Sequence, residues 1–246
     1  MSSTARSSLT PDRLSWGELE RLFYSEHRQG EHATVVGPTG SGKTILLREL
    51  AKIRARRRAD DGNPSRVTYL ATKPRSRSIE GLDWPIAKRW PPGYGQWHVI
   101  VWPRTSDPEL ASQHMAGIYR RLLKTIYAEG GQTVVVDELA DFTEPLPDGM
   151  GLRPIIVQYE TKGRELDLSL FAATQRPVNV PRVVWSEPKW FGVFRVEDYD
   201  DLRRVREIAG RADRFDELVQ QLDDHEFAFV HRRGSRRDYF VSKVEL

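Results

Sequence analysis

Eight residues in the first fifth of the chain have the types and spacing of a phosphate-binding loop. The run from Gly37 to Thr44 reads GPTGSGKT and matches the pattern G-x-x-x-x-G-K-[S/T] in full. Glycines let backbone N–H groups turn inward as an anion nest, and a following helix adds its positive N-terminus. Lys43 would reach the β- and γ-phosphates, and the Thr44 hydroxyl would ligate Mg²⁺. The predicted nucleotide-binding set is Gly37, Pro38, Thr39, Gly40, Ser41, Gly42, Lys43, Thr44 and Ile45.

Two adjacent acids end an apolar run and supply the other half of such a site. The run TVVVDE, residues 133–138, is apolar up to Asp137 and Glu138, which indicates a strand buried on both faces. We predict that Asp137 binds Mg²⁺ and that Glu138 polarises a water for in-line attack on the γ-phosphate. Because a small-molecule kinase substrate brings its own hydroxyl, Glu138 favours hydrolysis of ATP.

The elements that must position these residues alternate between strand and helix patterns. Short apolar runs such as HATVVG, SRVTYLAT, QWHVIVWP and LSLFAATQ are separated by amphipathic stretches with helical spacing. This alternation predicts an α/β fold, a mainly parallel sheet with helices on both faces. The last two runs, EFAFVHR and DYFVSKVEL, predict a C-terminal β-hairpin. We expect a disordered tail over residues 1–12 and one ATPase domain over 13–246.

The composition narrows the class of protein. The chain has 246 residues, 39% of them hydrophobic, and no cysteine, which excludes a disulfide framework and a cysteine-based metal site. No apolar run approaches the roughly 18 residues of a membrane span. The polar start MSSTARSSLTP is not expected to be a secretory signal.

Basic residues are numerous, although the net charge is only +3, and 30 of the 38 are arginine. Genome composition explains that ratio, and so does phosphate recognition, because arginine grips phosphates bidentately. Four clusters stand out, and they bear on function only if they share a surface. They are RARRR (54–58), KPRSR (73–77), RRVR (203–206) and HRRGSRR (231–237).

The order of these motifs resembles the additional-strand, catalytic-glutamate branch of P-loop NTPases. In that branch a further strand lies between the phosphate-loop strand and the strand that carries the acids. The run LSLFAATQ fits that strand, and its end would bring Thr174 and Gln175 close to the γ-phosphate.

A longer string is more specific. The stretch KGRELDLSLFAATQRP, residues 162–177, resembles the FtsK/HerA superfamily of DNA-pumping ATPases, as do the following VNVPRVV and WFGVFRVEDYDDLRRVREIAG. The resemblance covers residues 31–210 and implies a RecA-like fold with ATP and Mg²⁺ as cofactors. It implies Lys43 and Thr44 as phosphate and metal ligands, Asp137 as metal carboxylate and Glu138 as catalytic base, with Gln175 as γ-phosphate sensor.

The resemblance also implies an arginine that acts on the neighbouring subunit's ATP. Arg164 has the family's spacing before Thr174, and Arg176 and Arg153 are alternatives, as is a surface arginine with no role. A residue acting in trans requires a closed ring of head-to-tail contacts, hexameric or pentameric.

The size of the chain is closest to that of viral genome-packaging ATPases, because only about 31 residues precede the first strand and about 36 follow Gly210. The expected partners are double-stranded DNA and a portal or capsid-vertex protein, in the host cytoplasm or the virion. Plasmid or conjugative DNA transfer remains an alternative, as does a filamentous-phage-assembly or secretion ATPase acting on protein. A nucleotide kinase or switch is a third class, which Glu138 and the ATQRP string disfavour.

Several segments are candidates for contact with DNA. Lys73, Arg75 and Arg77 would meet backbone phosphates in a salt-sensitive, sequence-blind way. The loop FTEPLPDGMGLRP (142–154) and the hairpin tip HRRGSRR are further candidates, the tip for DNA or a portal protein. Trp84, Trp90 and Trp97 are expected to pack under a loop rather than to stack on bases.

Overall fold

In the computed structural model the described residues, which are 11–58, 62, 64–90, 97–209, 214–234 and 236–245, form one ten-stranded sheet. The order across the sheet is β1-β10-β9-β8-β2-β7-β6-β3-β5-β4. The strands are β1 (Asp12–Arg13), β2 (Ala33–Val36), β3 (Arg66–Leu70), β4 (Ile86–Ala87), β5 (His98–Val101), β6 (Gln132–Val136), β7 (Ser169–Thr174), β8 (Trp190–Phe194), β9 (Glu226–Arg233) and β10 (Arg236–Lys243).

The seven strands from β8 across to β4 run parallel to one another, and β9 and β10 form the antiparallel hairpin that the sequence predicts. This architecture confirms the predicted α/β fold. Because β2, β7, β6 and β3 are parallel neighbours, their carboxyl ends meet at one edge of the sheet, here called the carboxyl edge. The opposite edge is called the amino edge.

Helices cover both faces of the sheet. They are α1 (Trp16–Glu26), α2 (Lys43–Arg56), α3 (Arg77–Glu80), α4 (Ala111–Glu129), α5 (Leu139–Thr143), α6 (Arg153–Lys162), α7 (Val183–Ser186), α8 (Tyr199–Ala209) and α9 (Phe215–Gln220). Adjacent strand residues point to opposite faces. Val35 therefore packs in the core beneath α1 and α2, whereas Val36 packs in the core beneath α4 and α6.

The additional strand lies where the sequence predicts it. β7 is hydrogen-bonded to β2 on one side and to β6 on the other, with Val36 opposite Thr174 and Val136 opposite Ala172. A strand rises about 3.3 Å per residue, so the first residues after these three strands lie within about 7 Å of the same level. This register brings the phosphate loop, the two acids and Gln175 to the carboxyl edge.

The ends of the described chain differ slightly from the prediction. Residues 1–10 of the predicted tail lie outside the described residues, as does Gly210. Asp12, which was predicted to belong to the tail, is already in β1, where it is paired with Phe240 of β10. No helix in the described ranges has the length and apolarity needed to cross a bilayer.

One charged side chain is buried in the helical layer without a hydrogen-bonding partner. Glu160 of α6 is 3% exposed, and neither of its carboxylate oxygens has a hydrogen-bond partner among the described residues. Burial, reinforced by the Glu187 carboxylate, holds the pKa of Glu160 well above its usual value. Stability linked to this group is therefore fully present below the unfolded pKa near 4.5 and is lost as the pH rises toward the folded pKa.

We expect Glu160→Gln to stabilise the protein at pH 8, by roughly 1–3 kcal/mol, because it replaces a buried acid, which must either keep its proton or ionise without a partner, by a neutral group of the same shape. The gain should shrink toward zero near pH 5. Urea denaturation at both pH values measures it, with the exposed Glu165→Gln as control. A loss of stability at pH 8 would show instead that the fold uses the carboxylate.

Candidate nucleotide-binding site

The phosphate loop joins β2 to α2, which is the context its motif requires. Gly40 and Gly42 have φ of +81° and +108°, in the left-handed region that favours glycine. A Cβ on Gly37 would lie 2.6 Å from the Cβ of Phe194, so close packing also requires glycine there. The N-cap of α2 is Gly42, which has no capping side chain, so the N–H groups of the first turn remain available to an anion.

Lys43, the first residue of α2, is held inside the loop. Its Nζ donates to the Pro38 carbonyl at 2.7 Å. Burial lowers the pKa of Lys43 to about 8, and the nearby Glu138 carboxylate opposes that shift. The negative charge of a triphosphate would favour the protonated form and replace the carbonyl as its partner.

Asp137 follows β6 directly and is buried. One carboxylate oxygen, Oδ1, lies 3.3 Å from the Tyr69 hydroxyl, which donates to it, and Oδ2 forms an ion pair with Lys73 at 3.0 Å. Neither contact was predicted from the sequence. A buried tyrosine one residue before the end of β3 was the available signal, because β3 is the neighbour of β6.

Glu138 has the environment of a base. It is 7% exposed, its Oε1 accepts from the Gln175 backbone N–H at 3.3 Å, and its Oε2 has no hydrogen-bond partner within the described residues. Burial raises the pKa of Glu138, and the Asp141 carboxylate raises it further. A higher pKa increases the affinity of this carboxylate for a proton, which suits removal of a proton from water.

Gln175 connects the base to the phosphate loop. Its backbone binds Glu138, and its side-chain Oε1 accepts from the Thr39 hydroxyl at 2.6 Å. The residue lies immediately after β7, as predicted. A movement of the phosphate loop at Thr39 would therefore be passed through Gln175 to the end of β7 and to Glu138.

The residues present fit a magnesium-bound triphosphate. Thr44 in the first turn of α2 and Asp137 at the end of β6 supply hard oxygen ligands, which Mg²⁺ prefers. The hydroxyl of Ser41 is buried with no hydrogen-bond partner in the described part of the chain, and the uncapped first turn ends in Ile45. Lys43 supplies positive charge.

A pocket of about 800 Å³ lies beside the phosphate loop, and acids outnumber bases in its lining, which also includes Arg176, Arg195 and His225. Pro38, Thr39 and Gln175 form one wall. Six carboxylate residues contribute to the rest: Glu197, Asp198, Asp201, Asp223, Asp224 and Glu226. Because the acids predominate in this lining, we expect the phosphates to lie away from the pocket, toward Lys43.

The three arginine candidates lie in different places. Arg164 is exposed in a 3-10 helix, Gly163–Leu166, at the amino end of β7, and its backbone packs against Gly30. β7 is six residues long, so about 16 Å of strand separates Arg164 from Gln175. Arg176 is ion-paired with Asp201 at 3.0 Å, and Arg153 is exposed at the start of α6.

The predicted DNA-contact cluster is divided. Lys73 is half-buried, and its Nζ forms an ion pair with Oδ2 of Asp137 because the register of β3 and β6 places it beside the buried acid. Its role as a DNA contact stays a prediction. Arg75 and Arg77 are exposed at the carboxyl edge. The tryptophans pack, as expected: Trp84 stacks on His98 and Trp97 lies under Arg66.

The other two candidate DNA-contact segments, the loop 142–154 and the hairpin tip 231–237, make contacts within the protein itself. The loop 142–154 is closed on itself by bonds from Met150 N to Asp141 O and from Leu152 N to Phe142 O. At the hairpin tip, where residue 235 lies outside the described residues, Arg233 is ion-paired with Glu26 and Asp238. Because β9 runs antiparallel to β8, this tip lies at the amino edge, opposite the phosphate loop.

Several solved structures resemble this chain over most of its length. The DNA-packaging ATPase B204 of Sulfolobus turreted icosahedral virus aligns over 87% of this chain and 98% of its own, with 13% identity and a TM-score of 0.59. The genome-packaging NTPase B204 of Sulfolobus turreted icosahedral virus 2, in complex with AMPPCP, aligns over 89% and 100%, with 15% identity and a TM-score of 0.62. VirB4 of Thermoanaerobacter pseudethanolicus aligns over 87% and 90%, with 10% identity and a TM-score of 0.60.

No protein-family model matches the chain, and no curated protein matches it. At these identities the structural likeness shows the fold. The chain therefore has the P-loop ATPase fold of viral packaging ATPases and VirB4, the fold that its resemblance to the FtsK/HerA superfamily implies.

We expect Glu138→Gln to keep ATP binding and to lower the hydrolysis rate by at least about 100-fold, because the amide cannot take a proton from water. Binding of a fluorescent ATP analogue and phosphate release measure the two effects. The exposed Glu109→Gln is the control. Turnover that survives in Glu138→Gln would refute the role of Glu138 as base.

Proposed function

We propose that this chain is an ATP-hydrolysing DNA translocase, most specifically a subunit of a viral genome-packaging motor. The observation that carries the proposal is Glu138, a buried base candidate joined to the phosphate loop through Gln175. The structural likeness to two packaging ATPases, which covers 87% and 89% of this chain, supports DNA packaging as the work that hydrolysis drives.

The residues divide the chemistry of hydrolysis among them. The loop N–H groups and Lys43 bind the β- and γ-phosphates, and Thr44 and Asp137 hold the metal. Mg²⁺, held by these two residues, would supply positive charge against the negative charge that develops on the phosphate oxygens. Glu138 orients and deprotonates the attacking water, and Gln175 sits where loss of the γ-phosphate changes the contact with Thr39.

A ring of subunits would bring an arginine of one subunit to the ATP site of the next. Arg164 lies at the amino edge, too far along β7 to reach the phosphate loop of its own chain. We propose that Arg164 reaches the neighbouring subunit's γ-phosphate in a hexameric or pentameric ring and stabilises the transition-state charge there. The ion pairs of Arg176 with Asp201 and Asp198 make it a weaker candidate.

Double-stranded DNA is the proposed substrate, met by Arg75 and Arg77. Both are exposed on the short segment between Lys73 and the buried Ile79, close to the ATP site. A portal or capsid-vertex protein is the proposed further partner, in the host cytoplasm or the virion. Arg153, which belongs to the predicted contact loop 142–154, is also exposed at the carboxyl edge.

The likeness to VirB4 and to the conjugation coupling protein TcpA supports one alternative, which is transfer of plasmid DNA. A likeness to the type VII secretion ATPase EccC supports another, which is work on protein. Stimulation of hydrolysis by DNA separates packaging and plasmid transfer, which both act on DNA, from work on protein.

We expect linear double-stranded DNA to raise the ATPase rate several-fold at low salt, and Arg75→Ser with Arg77→Ser to weaken that response. Log affinity falls as log salt rises, and each lost phosphate contact should make that fall less steep by about 1. Phosphate release measured against DNA concentration at several salt concentrations provides the test.

The matched control is Arg121→Ser with Lys124→Ser on the exposed side of α4, which removes the same charge elsewhere. If DNA leaves the wild-type rate unchanged and a protein partner raises it, the translocase proposal fails.

A further inference from the structure

Lys73 is the one predicted DNA-contact residue that the fold turns toward the ATP site. Its Nζ lies 3.0 Å from Oδ2 of Asp137, a carboxylate whose side chain is 0% exposed, while the lysine side chain itself is 39% exposed. The ammonium therefore reaches from the surface to the buried acid proposed to hold Mg²⁺.

The backbone of Lys73 is fixed independently of this ion pair. Its carbonyl accepts a hydrogen bond from the indole Nε1 of Trp102 at 2.8 Å, and Trp102 is buried after β5. Leu70 at the end of β3 is in register with Val136, which precedes Asp137. Since both ends of the contact are held by the sheet, only the flexible lysine side chain must move to release Asp137.

The same ammonium influences the rest of the charge cluster. Lys73 favours the ionised form of Asp141, whose pKa burial raises, and it disfavours a second ammonium at Lys43. The Tyr69 hydroxyl binds the other oxygen of Asp137. One oxygen of the acid thus accepts a hydrogen bond, whereas Oδ2, which has no hydrogen-bond partner among the described residues, is held by the ion pair with Lys73.

We propose, resting on the proposed ATPase function, that Lys73 is a positioning residue that competes with Mg²⁺ for Asp137. An ammonium and a metal ion cannot both occupy Oδ2. Mg²⁺ also gives up its water reluctantly and needs several oxygen ligands, of which Asp137 and Thr44 supply two. Lys73 therefore holds Asp137 against free Mg²⁺, and releases it when a triphosphate brings further oxygen ligands with the metal.

The first test uses thermal unfolding of the full chain with Mg²⁺ alone and no nucleotide. We expect Mg²⁺ to leave the unfolding midpoint of the wild type nearly unchanged and to raise that of Lys73→Met by several degrees. The Mg²⁺ concentration that gives half of the rise should be at least about tenfold lower for Lys73→Met than for the wild type. Lys124→Met, which removes the same charge from exposed α4, should behave as the wild type. An equal response in Lys73→Met and wild type would overturn the proposal.

The second test measures binding of AMPPCP as Mg²⁺ is titrated. Competition predicts that Lys73→Met needs less Mg²⁺ for half-maximal binding; a need for more would show that Lys73 assists the metal or the phosphate, and would overturn the proposal. Lys73→Gln, which keeps a donor without the charge, gives the same comparison if Lys73→Met does not fold. If AMPPCP with Mg²⁺ fails to bind the wild type, the ATPase proposal fails, whereas the melts with Mg²⁺ alone still decide the role of Lys73.

Discussion

The parallel register of β2, β7 and β6 is the constraint on which the candidate site depends. Val36 opposite Thr174 and Val136 opposite Ala172 bring three strand ends to within two residues of one level, so that Gly37, Asp137 and Gln175 lie at the same edge. A shift of one residue would turn every side chain of a strand to the other face. The hydrogen bonds from Thr39 to Gln175 and from Gln175 to Glu138 exist because this register holds.

The two edges of the sheet carry different functional candidates. The carboxyl edge carries the phosphate loop, the acids and the exposed Arg75 and Arg77. The amino edge carries Arg164, and it is where a head-to-tail neighbour would be needed for that arginine to act. The basic clusters therefore do not share one surface: the cluster 54–58 at the end of α2 and the hairpin tip lie at the amino edge.

The sequence predicts those parts of the site that depend on local pattern. A glycine loop between a strand and a helix, and two acids after an apolar run, are determined by a few consecutive residues and can therefore be recognised in the sequence. Contacts between strands are different. Lys73 looked like a surface cation, and only the pairing of β3 with β6 directs it to Asp137. Arg232 looked like part of a basic tip, yet it donates to carbonyls of Trp185, Pro188 and Ile208, and stacks on Phe191.

Displacement of a third strand from duplex DNA shows whether this chain moves along DNA, because it reports movement rather than hydrolysis. A labelled oligonucleotide is bound as a triplex at one end of a linear duplex, and its release is followed after addition of protein and nucleotide. The account predicts release with ATP and Mg²⁺, and none with AMPPCP or with the Glu138→Gln protein. A third strand that stays bound while DNA-stimulated hydrolysis proceeds, or that is released equally with AMPPCP, would contradict it.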